Sequence, residues 1–162
     1  MIDKPLSATD QANLASLRKK IHLLFDLVTG VAKGYKTGLF LHGPGGVGKS
    51  YNVLKHLKDL DVPHVLFNSR MTGKGLFQAL QWAPDAVFVL EDMERLTRDP
   101  DAQGVLRSAL WAQPGHDRLV TWTTATEGVV RFAFRGGLIL ISNRPLADLA
   151  ELRALATRIE VH

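Results

Sequence analysis

Apolar residues recur along this chain with two periods, and the switches between them mark out its elements. Ser7-Ala8-Thr9-Asp10 reads as a helix start, after which Leu14, Leu17, Ile21, Leu24, Val28 and Val31 follow at alternating steps of three and four. That spacing predicts an amphipathic helix within residues 1–35, ending near Gly30 or Gly34 and packed on its own domain. Short apolar runs then alternate with helical patterns. Leu39 to Leu41 precedes a helix through Val53, Leu54, Leu57 and Leu60, and His64 to Phe67 precedes one through Leu76, Phe77 and Leu80. Val87-Phe88-Val89-Leu90 leads to a helix from an Asp99 cap and Pro100 to about Gln113, and Leu138 to Ser142 and Arg158 to Val161 complete the strand candidates. Continuous apolar strands separated by helices predict an α/β domain with a parallel sheet covered on both faces.

One segment departs from that alternation. Leu119 to Thr123 and Val129 to Arg135 are β-type runs joined by Thr124-Ala125-Thr126-Glu127-Gly128. Val130, Phe132 and Phe134 alternate with Val129, Arg131, Ala133 and Arg135, which predicts a hairpin over about 117–136 with one greasy and one polar face, inserted before the fourth strand.

Composition narrows the class. The 162 residues, 46% apolar, suffice for one domain with a full core. The absence of cysteine excludes disulfides, thiolate metal sites and cysteine nucleophiles, and the six histidines show no ligand spacing. The first residues lack an apolar signal core, and no apolar run approaches the ~18 residues of a membrane span, so the reading is a cytoplasmic protein, inside a host cell if viral or plasmid-borne. A net charge of +4 suits a polyanionic partner without specifying one.

Gly43-Pro44-Gly45-Gly46-Val47-Gly48-Lys49-Ser50 changes the picture most, because it fits G-x-x-x-x-G-K-[ST] at every fixed position between a strand and a helix. Glycines let successive backbone N–H groups curl around phosphates, Lys49 adds positive charge, and the Ser50 hydroxyl ligates Mg²⁺. The helix beginning at about Lys49, with Tyr51 in its first turn, aims its N-terminal dipole at the same phosphates. ATP and Mg²⁺ are the expected ligands. Glu91 and Asp92 end the strand Val87 to Leu90, where ligands bind in open α/β sheets. One carboxylate is expected to hold the metal and the other to orient the attacking water, with the assignment between them open. Asn143 closes the run Leu138 to Ser142 and is placed to bond a γ-phosphate or the water. Arg158, with Arg153 as rival, is a candidate to answer charge on the transferring phosphoryl group.

Together these segments resemble the AAA+ ATPases. Gly43 to Ser50 matches their Walker A motif, Val87 to Asp92 their Walker B, Asn143 their sensor 1, and Ala154-Leu155-Ala156-Thr157-Arg158 the segment carrying an arginine finger. A hairpin before the sensor 1 strand is similar to the pre-sensor 1 β-hairpin group, which includes superfamily 3 replicative helicases of viruses and plasmids. For residues 36–162 the resemblance implies a three-layer αβα sandwich on a five-stranded parallel sheet of order 5-1-4-3-2, with Asn143 between the phosphate loop and Glu91. It also implies a hexameric ring around a nucleic-acid strand. This chain departs from the pattern in reading Glu-Asp where the family more often has Asp-Glu, in lacking a Lys or His at the hairpin turn, and in stopping at His162 before any helical lid.

The leading expectation is an ATP-driven motor acting on nucleic acid, single-stranded DNA in the first place, of helicase or loader type. Candidate contacts are Arg70, Lys74 and Lys36, with Trp122, Arg131 and Arg135 on the hairpin; for Trp122 a cross-strand packing role competes. A protein-remodelling AAA+ module and a nucleotide-switched assembly module are the alternatives. Basic residues after the second strand, where a peptide-gripping pore would carry an aromatic, favour nucleic acid.

Overall fold

A computed structural model describes residues 6–68, 70–91, 96–149 and 160–161 of the protein. Ser7 starts the first helix as its position predicts: its hydroxyl accepts from Asp10 N at 3.1 Å while the Asp10 carboxylate accepts from Ser7 N at 3.3 Å. In chain order the elements are α1 (Ala8–Ala32), β1 (Gly38–His42), α2 (Lys49–Asp59), β2 (His64–Phe67), α3 (Gly73–Trp82), β3 (Val87–Glu91), α4 (Pro100–Leu110), β4 (Arg118–Thr124), β5 (Gly128–Phe134), β6 (Gly137–Ser142) and β7 (Glu160–Val161). Asp99 caps α4 ahead of Pro100, also as expected, but the helix stops at Leu110, short of Gln113.

Four parallel strands form the sheet in the order β2-β3-β6-β1. The two residues of β7 pair parallel with β1, Leu39 opposite Glu160 and Phe40 opposite Val161. Strand side chains alternate between faces, so each central strand feeds two cores at once. Leu39, Leu41, Val87, Val89, Ile139 and Ile141 pack with α1 and α2. Phe40, Phe88, Leu90, Leu138 and Leu140 pack with α3 and α4. Burial of each such side chain contributes about 1.5–3 kcal/mol, which is why these runs read as uninterrupted apolar sequence.

The α1 stripe is buried only over its last turns, at Leu24, Leu27, Val28 and Val31; Leu17, earlier on the same stripe, is 52% exposed. His56 clamps α1 to α2, stacking on Phe25 at 4.3 Å between ring centroids and bonding Thr29 Oγ1 at 2.8 Å.

Strands β4 and β5 form the antiparallel hairpin, with Trp122 opposite Val130 and Val120 opposite Phe132. Its greasy face lies on the helical layer: Phe132 and Trp122 pack on Phe77 of α3 at 5.3 and 5.7 Å, while Val120 and Phe134 are buried. Arg118 pins its base, donating to the carbonyls of Ala109 and Gly136, each at 2.5 Å, with the guanidinium 5.1 Å from the Phe134 ring centroid. Burial lowers the pKa of this guanidinium from its usual value.

Candidate functional site

Because β1 and β6 run side by side in register, with His42 opposite Ser142, the glycine-rich segment Gly43 to Ser50 and Asn143 leave the sheet at the same edge. Gly43 N extends the pairing by one bond, donating to Ser142 O at 3.3 Å. The chain then turns through Gly46 at φ +77° and Gly48 at φ +80°, a left-handed conformation that costs glycine no steric strain. Gly48 is the N-cap of α2 and supplies no side-chain cap, so the amides at the front of the helix present N–H groups and a partial positive charge to whatever lies ahead of them. Asn52, one turn on, fixes that cap by donating to Gly48 O at 2.8 Å.

Lys49 reaches back across the loop. Its Nζ donates to Gly43 O at 2.7 Å, Pro44 O at 2.8 Å and Asn143 Oδ1 at 3.1 Å. The last bond joins residues ninety-four positions apart, so the ammonium and the amide at the end of β6 share one point in space. Glu91 follows from the next strand over, at the end of β3 opposite Ile141. A cleft of about 360 Å³ is lined by Gly45, Gly46, Gly48, Lys49, Ser50, Tyr51, Glu91, Ile141 and Asn143. The strand at whose end Asn143 stands, β6, thus lies between those carrying the loop and Glu91.

The chemistry of this lining is specific. One hydroxyl and one carboxylate, both hard oxygen donors, face the same cleft as a lysine and an uncapped helix front. Magnesium suits that set, since it keeps several waters and takes its remaining ligands from one or two protein oxygens and the phosphates themselves. No cluster of three or more acidic or histidine side chains exists among the described residues, so a metal held wholly by protein groups does not fit them. Asp92, Arg153 and Arg158, together with Glu94 and Arg95, lie outside the described residues.

A second groove, about 380 Å³, adjoins the loop on the α1 side. Leu17, Ile21 and Leu24 of α1 form one wall, and Leu41, Pro44 and Val47 the other. The sequence stripe contained Leu17 and Ile21, but periodicity could not show that their partner is the flank of the loop Gly43 to Ser50 rather than the core.

The side chains put forward for nucleic acid separate into two groups. Trp122 is turned inward on Phe77, the packing role, with its indole Nε1 buried and unpartnered among the described residues, and Arg135 Nε is bound to Asp85 Oδ1 at 2.7 Å. Arg70 and Arg131 are exposed, and Lys74 is half-exposed with its Nζ 3.0 Å from Glu127 Oε1. Lys36 runs alongside Gly30, with its methylene carbons 3.3–3.7 Å from where a Cβ there would stand. Arg98, which periodicity did not single out, lines a cleft together with Arg70.

No helix among the described residues is long and apolar enough to cross a membrane. No family model matches the chain. It is similar to an uncharacterized 36.7 kDa protein of the nrdC-mobD intergenic region of Enterobacteria phage T4, 27% identical over 140 residues that cover 78% of this chain. The match takes in 42% of the phage protein, so the chain spans less than half the length of that relative.

Proposed function

We propose that this protein is a magnesium-dependent ATPase of the AAA+ type whose work is done on nucleic acid. The observation that carries the reading is the meeting of Lys49, Ser50, Glu91 and Asn143 on one cleft at the front of α2. Loop amides and Lys49 would bind the β- and γ-phosphates; Ser50 and Glu91 would hold Mg²⁺, which draws charge from the phosphate oxygens. Asn143, already bonded to Lys49, stands where an amide can orient a γ-phosphate or a water. Water then attacks the γ-phosphorus, the bond to the β–γ bridging oxygen breaks, and ADP and phosphate leave. Of Glu91 and Asp92, the carboxylate that does not hold the metal is the candidate for accepting the water's proton. The apolar groove between α1 and the loop is the right size and character to receive the base.

Sheet order supports the family assignment. Counted without the hairpin strands, the neighbours β7-β1-β6-β3-β2 read 5-1-4-3-2, the arrangement expected of an AAA+ core. A hairpin directly before β6 supports the pre-sensor 1 group. A ring of subunits, an arginine finger from Arg158 and an intracellular site of action belong to the same proposal.

The test is ATP turnover with Mg²⁺, with and without single-stranded DNA, for the parent protein and for Lys49→Ala and Glu91→Gln. Expected are DNA-stimulated turnover in the parent, nucleotide binding weakened on the order of 10- to 100-fold in Lys49→Ala, and retained binding with lost turnover in Glu91→Gln. Turnover stimulated by unfolded polypeptide and not by DNA would move the assignment to a protein-remodelling module.

A further inference from the structure

Three loops that are far apart in the chain meet beyond the ends of β2 and β3. Arg70 lies on the first, Arg98 and Asp99 on the second, and Glu127 on the hairpin turn. Two bonds tie them together: Gly73 N donates to Asp99 Oδ2 at 2.8 Å, and Lys74 Nζ to Glu127 Oε1 at 3.0 Å. A cleft of about 420 Å³ at this junction is lined by Arg70, Met71, Thr72, Arg98 and Asp99.

Charge in the cleft is unevenly matched. Asp99, the one acid among the described lining residues, is occupied by main-chain amides, since it also accepts from Asp101 N at 3.0 Å, and Thr72 accepts from Gly75 N at 3.1 Å. The fronts of α3 and α4 are therefore capped from within the protein. Neither guanidinium in the cleft pairs with a carboxylate among the described residues. Two planar five-donor forks lining one cleft suit an anion with oxygens to spare, and phosphate matches that donor geometry bidentately. The outer face of the hairpin carries Leu119, 49% exposed, Val129, 62% exposed, and Arg131, an apolar and cationic mix suited to unstacked bases.

We propose that this cleft binds the sugar-phosphate backbone of a single-stranded nucleic acid through Arg70 and Arg98, and that Glu127 holds Lys74 as an internal substitute for phosphate until the strand displaces it. The inference rests on the nucleic-acid half of the function proposed above and is independent of ATP hydrolysis. Glu127 then acts as a threshold: weak polyanions do not displace a carboxylate already in place, whereas a strand held at both arginines presents its next phosphate at high local concentration.

The experiment is fluorescence anisotropy of a labelled oligo-dT strand with the full chain, without nucleotide, at about 50 and 200 mM salt, where phosphate contacts make binding fall steeply. Arg70→Ala and Arg98→Ala should each weaken binding roughly fivefold and shrink the salt slope by about one, while Arg98→Lys keeps most of the slope. Glu127→Gln should tighten binding several-fold, and Lys74→Ala combined with Glu127→Gln should abolish that gain. Unchanged melting temperature and unchanged nucleotide affinity in each variant exclude misfolding. Parent binding that none of these substitutions alters would overturn this site and leave the nucleic-acid reading standing. Absence of oligo-dT binding in both the parent and Glu127→Gln, or equal competition by polyglutamate, would overturn both.

Discussion

Two cationic corners stand at the same edge of this sheet, and they are built in opposite ways. At the loop Gly43 to Ser50, eight consecutive residues supply backbone amides, lysine and hydroxyl, and Lys49 is held by two carbonyls of that same loop and by Asn143. At the β2–β3 corner, Arg70, Arg98 and Glu127 come from three separate connections and Lys74 from the first turn of α3, and the lysine is held by a carboxylate. A site made of contiguous backbone has its geometry fixed locally by glycine torsions. A site made of distant side chains exists only if the helices and hairpin between them pack correctly.

The largest expected effect tests that dependence. Phe77, 3% exposed, carries two of the hairpin's aromatic contacts, and Phe77→Ala should cost about 3–5 kcal/mol, a fall of roughly 6–20 °C in melting temperature. Nucleotide affinity of the folded fraction should hold; if it collapses alongside stability, the two corners are not separately built. Next comes Lys49→Ala, which removes a charged donor and should weaken ATP binding on the order of 10- to 100-fold by calorimetry, with the melting temperature little changed. A large fall in stability instead would mean that the bonds to Gly43, Pro44 and Asn143 hold the loop together.

Gly73→Ala strikes the second corner at its tightest point. A Cβ there would stand 2.6 Å from Ala102 N and 2.7 Å from Asp101 Cβ, so α3 and α4 must separate, at a cost of about 1–3 kcal/mol in denaturant unfolding. Ile21→Asn sharpens the reading of the groove beside the loop: it should weaken ATP about tenfold, from the lost apolar contact, and leave inorganic triphosphate unaffected. Equal losses for both ligands would show that the groove does not receive the base.

The smallest effect is a control on a third charged pair, Lys55 and Asp59, one turn apart on α2 at 2.6 Å. The Lys55 hydrogen bond holds the Asp59 carboxyl below its usual value, so any contribution is present above the unfolded carboxylate pKa and is lost as acid carries the pH down through the lower folded one. Both groups are exposed, and Lys55→Ala should leave the melting temperature at pH 7 and at pH 3 within experimental error of the parent.

Much of this architecture was legible in the chain because short-range rules govern it. Ser7, Asp99 and Pro100 announced their helices, and the run Gly43 to Ser50 announced its turn. The alternation of Val130, Phe132 and Phe134 foretold a one-sided hairpin. Other features gave weaker signals. The regular stripe of α1 said nothing of where its neighbours end, so the exposure of Leu17 and its place opposite Val47 emerged only with the fold. Arg118 carries no local signal in the sequence, and two carbonyls and the Phe134 ring surround it only in the fold.

By itself, then, the sequence determined what depends on neighbours along the chain: helix ends, strand alternation and the left-handed bend ahead of α2, all set by torsional and capping preferences acting over a few residues. Tertiary structure alone decided which distant groups meet. It laid β6 between β1 and β3, which brought Asn143 to Lys49 and Glu91 to the same cleft, and it folded the hairpin onto Phe77, which brought Glu127 to Lys74. Those encounters follow from burying both faces of one sheet, a free energy summed over the whole core, and no local pattern records it.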